Sequence, residues 1–276
     1  MKAIDCDMKP NVHYHLDLGV RKMTILQTNN ITKIYGGREN AISTQALSGI
    51  NLTIEKGEFV GVMGPSGSGK TTLLNILSGI DHATTGTIEI TRKDICKLTK
   101  DELALFRRQK LGFVFQEFNL LDSLTLKENV MLPMILDKKS AKSMEDKAKH
   151  IMSIFEIADI GDKYPYAVSG GQQQRAAVSR SLVNDPAIVF ADEPTGNLDS
   201  KSSNAVMKLF TKMNTELDTT ILMVTHDAFA ASFCKRIIFI RDGSICMEIY
   251  NKGSKKEFFD RILDCLAVIG GEKNDL

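Results

Sequence analysis

Apolar positions along this chain follow two different periods, and the changes between them mark its elements. From Thr24 to about Met63 the pattern is strand-rich. TILQTNNITKIY reads as one strand, and Ile50, Leu52 and Ile54 then alternate with polar residues. The turn EKGE leads into FVGVM, a wholly apolar run that fits a central strand buried on both faces. Thr71–Ser78 reads as a helix opening straight from a glycine loop, and GTIEI near Gly86 as a short strand. Lys100–Lys110 reads as a helix and LGFVFQ as another short buried strand.

From about Glu117 to Val168 the chain reads mainly as helices, through LTLKENVMLPMIL and SAKSMEDKAKHIMSIFEIADI, forming a helical subdomain between two halves of a sheet. Strand and helix then alternate in AIVFAD, SSNAVMKLFTKMNTEL, TTILMVTH and RIIFIRDGSI, which predicts a largely parallel sheet covered by helices. In the terminal KKEFFDRILDCLAVIGG, Phe258, Phe259, Ile262, Leu263 and Leu266 fall at helical spacing. That stripe predicts a helix docked on its own domain, or alternatively a contact for a partner.

Composition narrows the class. With 43% hydrophobic and 25% charged residues in 276, the chain is long enough and apolar enough for a sizeable core. A net charge of +1 provides no global basic field, so no nucleic-acid partner is expected. The cysteines at 6, 96, 234, 246 and 265 are odd in number and unpaired in spacing, which points to a reducing compartment and away from a disulfide or zinc framework. No apolar run reaches the ~18–20 residues that span a bilayer. The N-terminus has acids and a proline where a signal peptide has its apolar core, so the chain is expected in the cytosol, reaching any membrane through a partner. Residues 1–22 show no clean period and are expected to be a disordered extension, or to follow from an upstream start codon; His13 and His15 within it are not expected to bind metal.

Candidate chemistry begins at GPSGSGKT, which matches G-x-x-x-x-G-K-[ST] between an apolar strand and a helix. Gly64, Pro65, Ser66, Gly67, Ser68 and Gly69 can turn successive N–H groups toward phosphate, with the dipole of the following helix behind them. Lys70 should reach the β- and γ-phosphates of a nucleotide, and the Thr71 hydroxyl should ligate Mg²⁺, with Thr72 next along. The apolar strand AIVFADEP ends in two carboxylates. Asp192 is the metal-side acid and Glu193 the group that polarises attacking water. Gln116 and His226 end the strands LGFVFQ and ILMVTH, at the sheet edge where ligands gather. The glutamine amide can ligate Mg²⁺ or position water, and the histidine can bond the γ-phosphate; each can equally be a satisfied structural group.

A second glycine stretch, VSGGQQQR, offers another anion cradle in Ser169, Gly170, Gly171 and Gln172, or else a glycine turn capping a helix. One phosphate loop needs one cradle for its own ATP. The second would serve the ATP of another copy of the chain in a two-fold head-to-tail homodimer.

GPSGSGKTT, the Gln116 loop, VSGGQQQR, IVFADEP, GNLD and His226, in this order, resemble the ATP-binding cassette (ABC) family of transporter ATPases over roughly Thr24 to Met247. The resemblance implies an α/β fold: a P-loop NTPase, RecA-like core with an antiparallel β subdomain and an inserted α-helical subdomain. It implies an ATPase domain over 23–250, with helices at about 117–170, and a helical tail over 251–276. It further implies ATP and Mg²⁺ as cofactors, Tyr35 stacked on adenine, Asp199 at the dimer interface, and Gln116 coupling the site to a membrane permease. Val168 stands where leucine is commoner. FQEFNLLDSLTLKENVMLP, DEPTGNLDSKS and MVTHD resemble the branch serving permeases with large extracellular domains, in lipoprotein release, macrolide export and antimicrobial-peptide resistance. VTHDAFAASFCKRIIFIRDG and the tail are most similar to bacitracin-type resistance ATPases of Gram-positive bacteria, which implies work at the cytoplasmic face of a bacterial membrane. Soluble ABC ATPases acting on DNA or ribosomes fit less well, because no sustained heptads lie between Thr71 and Val168 and only one cassette is present. A small-molecule P-loop kinase leaves SGGQ unexplained.

Overall fold

The predicted change of period corresponds to a change of sheet. A computed structural model describes residues 23–36 and 43–271. The strands are β1 (Thr24–Tyr35), β2 (Thr44–Glu55), β3 (Phe59–Met63), β4 (Thr85–Ile90), β5 (Lys93–Asp94), β6 (Leu111–Val114), β7 (Ile188–Asp192), β8 (Ile221–Val224), β9 (Arg236–Arg241) and β10 (Ser244–Tyr250). The helices are α1 (Lys70–Leu77), α2 (Lys100–Lys110), α3 (Leu126–Leu136), α4 (Ala141–Ile154), α5 (Gly170–Leu182), α6 (Ser200–Glu216), α7 (Ala228–Ala231) and α8 (Lys255–Gly271). Residues 1–22, with His13, His15 and Cys6, lie outside the described residues.

The alternating strands form a four-stranded antiparallel sheet in the order β2-β1-β4-β5. The apolar runs form a six-stranded sheet in the order β10-β9-β3-β8-β7-β6, parallel except for the β9–β10 hairpin. Each central strand sends alternate residues to opposite faces. Val60, Val62, Phe190 and Leu222 join the core shared with the antiparallel sheet and α1. Phe59, Met63, Val189 and Met223 join the core under α5, α6 and α8. Burial on both faces is why these strands read as unbroken apolar runs. Each such side chain contributes ~1.5–3 kcal/mol.

Two elements depart from the sequence reading. β6 stops at Val114, so Gln116 stands two residues beyond it, and β8 stops two residues before His226. The predicted helices begin only at Leu126, because the preceding loop is held open by a buried side chain. Asn129 Oδ1 accepts from Leu121 N–H (2.7 Å), and its Nδ2 donates to the carbonyls of Leu121, Leu124 and Thr125. From α5, Arg180 donates to the carbonyls of Phe118 and Asn119, which both have left-handed backbone.

The terminal helix docks on the chain's own core, largely by the stripe read in the sequence, with Leu263 the exception. Phe258, Ile262 and Ile269 are buried, whereas Leu263 is turned outward at 44% exposed. Phe259 and Leu266 pack at the edge.

Arg236 fastens β9 to its surroundings. Its Nη2 donates to Thr53 O at 2.7 Å, and its Nε lies 2.9 Å from Glu58 Oε1, an ion-pair contact off the hydrogen-bond line. Its Nη1 reaches Glu248 Oε2 at 3.3 Å. Arg236→Ala removes this buried guanidinium from both carboxylates. The expected cost is about 3 kcal/mol, the low end for a broken buried pair because both carboxylates keep some solvent. A urea unfolding curve checks it, and an unchanged midpoint refutes the role.

Candidate functional site

Four loops at the carboxyl ends of parallel strands build the site, beginning with the turn from β3 into α1. Gly69 caps α1 with φ +99°, and a Cβ there would sit 2.5 Å from Ala46 O, so only glycine fits. Thr99, Thr125, Ser140, Ser169, Asp199, Asp227 and Ser254 each cap their helix with a side chain. Among the described α-helices α1 alone has no side-chain cap, so its first N–H groups remain free for an anion.

Lys70 folds back over this loop, donating from Nζ to Gly64 O (3.0 Å) and Pro65 O (2.8 Å). Burial lowers its pKa from the usual lysine value, against the raising pull of Glu193 and then Asp192. Ser68 Oγ is buried without a partner. The β9–β10 turn braces the loop through Gly243 N–H, which donates to Ser68 O at 3.1 Å.

At the end of β7, Asp192 Oδ1 is also buried without a hydrogen-bond partner. Burial first, and the Glu193 charge second, raise this carboxyl above its ordinary range, with Lys70 pulling the other way. Glu193 adopts left-handed backbone at φ +44°, which costs energy for a non-glycine residue. It is held by its N–H to Val224 O and by Gly196 N–H to its own carbonyl, both 2.9 Å. The twist delivers its side chain to the next loop, where His226 Nδ1 lies 2.8 Å from Glu193 Oε1. An ionised carboxylate only accepts, so Nδ1 carries the proton. Glu193 and His226 line a cleft of about 600 Å³ together with Thr195, Gly196, Asp227 and Phe229.

Gln116 meets the loop after β7. Its Nε2 donates to Asn197 Oδ1 (3.2 Å) and Asn197 Nδ2 returns a bond to Gln116 O (3.3 Å). The Gln116 Oε1 is left for another partner. Gln174 on α5 is fully buried and donates to Pro194 O at 2.6 Å, tying the SGGQ helix to the same loop. Asn197 and Gln174 were not singled out from the sequence. Asn197 sat in the quoted GNLD, but nothing local said what it would meet.

The SGGQ stretch satisfies its cap reading within the chain. Ser169 Oγ accepts from Gln172 N–H (3.3 Å) and Gln172 Oε1 accepts from Ser169 N–H (3.0 Å). The Ser169 hydroxyl proton and the Gln172 amide N–H groups remain available. Among the described residues, no hydrogen bond joins Ser169, Gly170, Gly171 or Gln172 to the Gly64–Thr72 loop. Asp199 lies beside this stretch as the cap of α6, accepting from Lys201 N–H, Ser202 N–H and Ser202 Oγ–H. The Ser202 side chain foremost holds its carboxyl below the usual range. Tyr35 stands at the end of β1. Its hydroxyl donates to Asp81 Oδ2 at 2.8 Å, and Lys33 Nζ sits 4.6 Å above its ring. Burial, then the Asp81 hydrogen bond, raises the phenol's pKa, against the Thr72 side chain.

A family model described as "ABC transporter" matches residues 47–196. The chain is 53% identical over 250 residues to an uncharacterized ABC transporter ATP-binding protein, YvcR, of Bacillus subtilis, covering 91% of this chain and 96% of that one. It is 48% identical over 255 residues to the bacitracin export ATP-binding protein BceA of Halalkalibacterium halodurans, covering 92% and 100%. Among solved structures, the ATP-binding cassette MJ0796 of Methanocaldococcus jannaschii, a dimer in a post-hydrolysis state bound to ADP and Pi, superposes with a TM-score of 0.75. That match has 41% identity and covers 83% of this chain and 100% of that chain.

Proposed function

Because the chain belongs to the ABC transporter family as an ATP-binding subunit, an ATPase that hydrolyses ATP, we propose that it powers a bacterial permease with a large extracellular domain in resistance to bacitracin-like peptides. The observation that carries this reading is the 48% identity to a bacitracin export ATP-binding protein over 92% of the chain. No described helix is long and apolar enough to cross a membrane. In this reading an integral-membrane permease supplies the path, with this chain at the cytoplasmic face. A groove of about 670 Å³ lined by Phe113, Phe115, Pro133, Leu136, Arg108 and Arg180 suits a short amphipathic segment of that partner.

Within the site, Gly64–Thr72 and the uncapped start of α1 cradle the phosphates. Lys70 exchanges its two loop carbonyls for phosphate oxygens, and Tyr35 stacks on adenine. The donor set fits Mg²⁺. Asp192 has a buried oxygen without a partner, and Thr71 and Gln116 supply neutral oxygens. Among the described residues no cluster of three or more His, Cys, Asp or Glu side chains could hold a metal unaided, which suits an ion that also takes phosphate and water oxygens. Mg²⁺, when bound, neutralises charge on the phosphates. Glu193 accepts the proton of the attacking water. His226 Nδ1 orients that carboxylate and leaves Nε2 for the γ-phosphate, to which it donates in the imidazolium form.

Ser169–Gln172 serve the ATP of a second copy, with Asp199 at the same interface. This arrangement draws on the dimeric form of the MJ0796 cassette. Charge-assisted bonds to phosphate contribute ~1.5–3 kcal/mol each. Several of them across the interface supply the few kcal/mol that a two-state switch needs.

The test is a pull-down of tagged Glu193→Gln from native membranes in mild detergent with ATP and Mg²⁺. A co-purifying permease with a large extracellular domain, in cells whose bacitracin tolerance falls when this chain is deleted, supports the proposal. A permease for lipoprotein release or macrolide export redirects the cargo. Ribosomal or DNA-bound partners without a membrane subunit overturn the proposal.

A further inference from the structure

Lys255 is out of place by the rules of its own helix. Ser254 caps α8, with its Oγ accepting from Glu257 N–H (3.2 Å) and Glu257 Oε2 accepting from Ser254 N–H (2.9 Å). The cap sets Lys255 in the first turn, at the positive end of the helix dipole, where a cation is disfavoured. Among the described residues no carboxylate pairs with it. Two aromatic rings hold it instead, with Nζ 2.8 Å from the ring centroid of Phe233 and 4.5 Å from that of Phe229. The rings meet edge to face at 5.3 Å and 79°, so the cation closes a three-part cluster. Burial, and then the Lys208 charge, lower the lysine's pKa, as expected for an ammonium that exchanges water for ring faces.

The cluster sits directly behind the hydrolytic pair. Phe229 belongs to α7, whose cap Asp227 follows His226 in the chain. Asp227 Oδ1 accepts from Phe229 N–H at 2.8 Å, and Ser232 Oγ donates to Phe229 O at 2.6 Å, so its backbone is held at both ends. Phe229 lines the cleft that contains Glu193 and His226. It also lines a second hollow with Lys255, Lys256 and Phe259. One residue thus touches both the hydrolytic cleft and the foot of the terminal helix. His226 itself is 72% exposed and, among the described residues, makes its side-chain bond only to Glu193, so its position depends on the backbone segments on either side of it.

We propose that Lys255 is a positioning residue: its ammonium clamps Phe229 and Phe233, fixes α7, and so keeps His226 on Glu193. The inference rests on the roles assigned to Glu193 and His226 above, and it makes the terminal helix part of the control of hydrolysis. A positioning group that acts after nucleotide binding changes kcat and leaves KM alone.

The experiment measures steady-state ATPase and thermal unfolding of the full chain as wild type, Lys255→Arg, Lys255→Met, Phe229→Leu and His226→Ala. Methionine keeps the apolar stem and removes the charge, whereas arginine keeps a cation over the rings. Expected are an about fivefold fall in kcat for Lys255→Met, an unchanged KM for ATP, an unfolding temperature near wild type, and recovery in Lys255→Arg. Phe229→Leu should share the kcat defect. Wild-type kcat in Lys255→Met, a loss matched by a lower folded fraction, or no recovery with arginine overturns the proposal. His226→Ala separates the two levels. If its rate is unimpaired, the site assignment itself fails; if its rate falls while Lys255→Met is normal, only the clamp fails.

Discussion

Glu193→Gln is expected to bind ATP with near-wild-type affinity and to hydrolyse it ~10²–10⁴-fold more slowly, the range for loss of a general base. The replacement is nearly isosteric. A glutamine carbonyl can still accept from His226 Nδ1, which lies 2.8 Å from Oε1 in the native pair, so the cleft keeps its shape. What disappears is the ability to take a proton. The backbone twist at φ +44° is equally costly for either residue, so the variant should fold as the parent does. With hydrolysis blocked, the ATP-bound dimer proposed above should accumulate. Size-exclusion chromatography with ATP and Mg²⁺ reads that shift, and a single-turnover assay reads the rate. Near-normal turnover would remove Glu193 from the role of base.

Lys70→Ala is expected to weaken ATP binding by ~10²-fold or more and to abolish measurable turnover. The ammonium now donates two bonds, to Gly64 O and Pro65 O, at a place that burial already makes unfavourable for charge. In the proposed site phosphate oxygens replace those carbonyls with charge-assisted bonds worth ~1.5–3 kcal/mol each, and one or two such bonds account for the expected affinity loss. Fold stability should change little, because the bonds given up are local to the loop and α1 is anchored by buried Leu73, Leu74, Ile76 and Leu77. Calorimetric titration with ATP checks the affinity. Wild-type affinity and turnover in Lys70→Ala would place the phosphates elsewhere.

These two variants separate two kinds of information. The loop that carries Lys70 was legible because its backbone pattern is local. Six residues of loop, one lysine and one hydroxyl lie in unbroken order between a strand and a helix, and glycines in that order dictate the backbone that makes an anion cradle. The Thr99–Glu102, Thr125–Glu128 and Ser169–Gln172 caps are local in the same way, each closed within three residues. The alternation of β1 and β2 and the unbroken apolar runs of β3, β7 and β8 likewise reported which faces would be buried.

Contacts between distant segments were not legible. Glu193 meets His226 because β7 and β8 are neighbours, and Gln116 meets Asn197 because β6 lies beside β7. Gln174 reaches Pro194 O from α5, and Lys255 finds Phe229 and Phe233 only once α8 has packed its Phe258 and Ile262 face on the core. In the terminal helix, Leu263 was read into the apolar stripe and stands outside it, since spacing specifies a face but not how far around the helix the core reaches. The sequence by itself determined most of the elements and the glycine loop before α1, because backbone preference and burial period act over a few residues. The tertiary structure alone decided the strand order β10-β9-β3-β8-β7-β6, and with it the pairings among the side chains of the candidate site, because those pairings depend on long-range packing that no local period encodes.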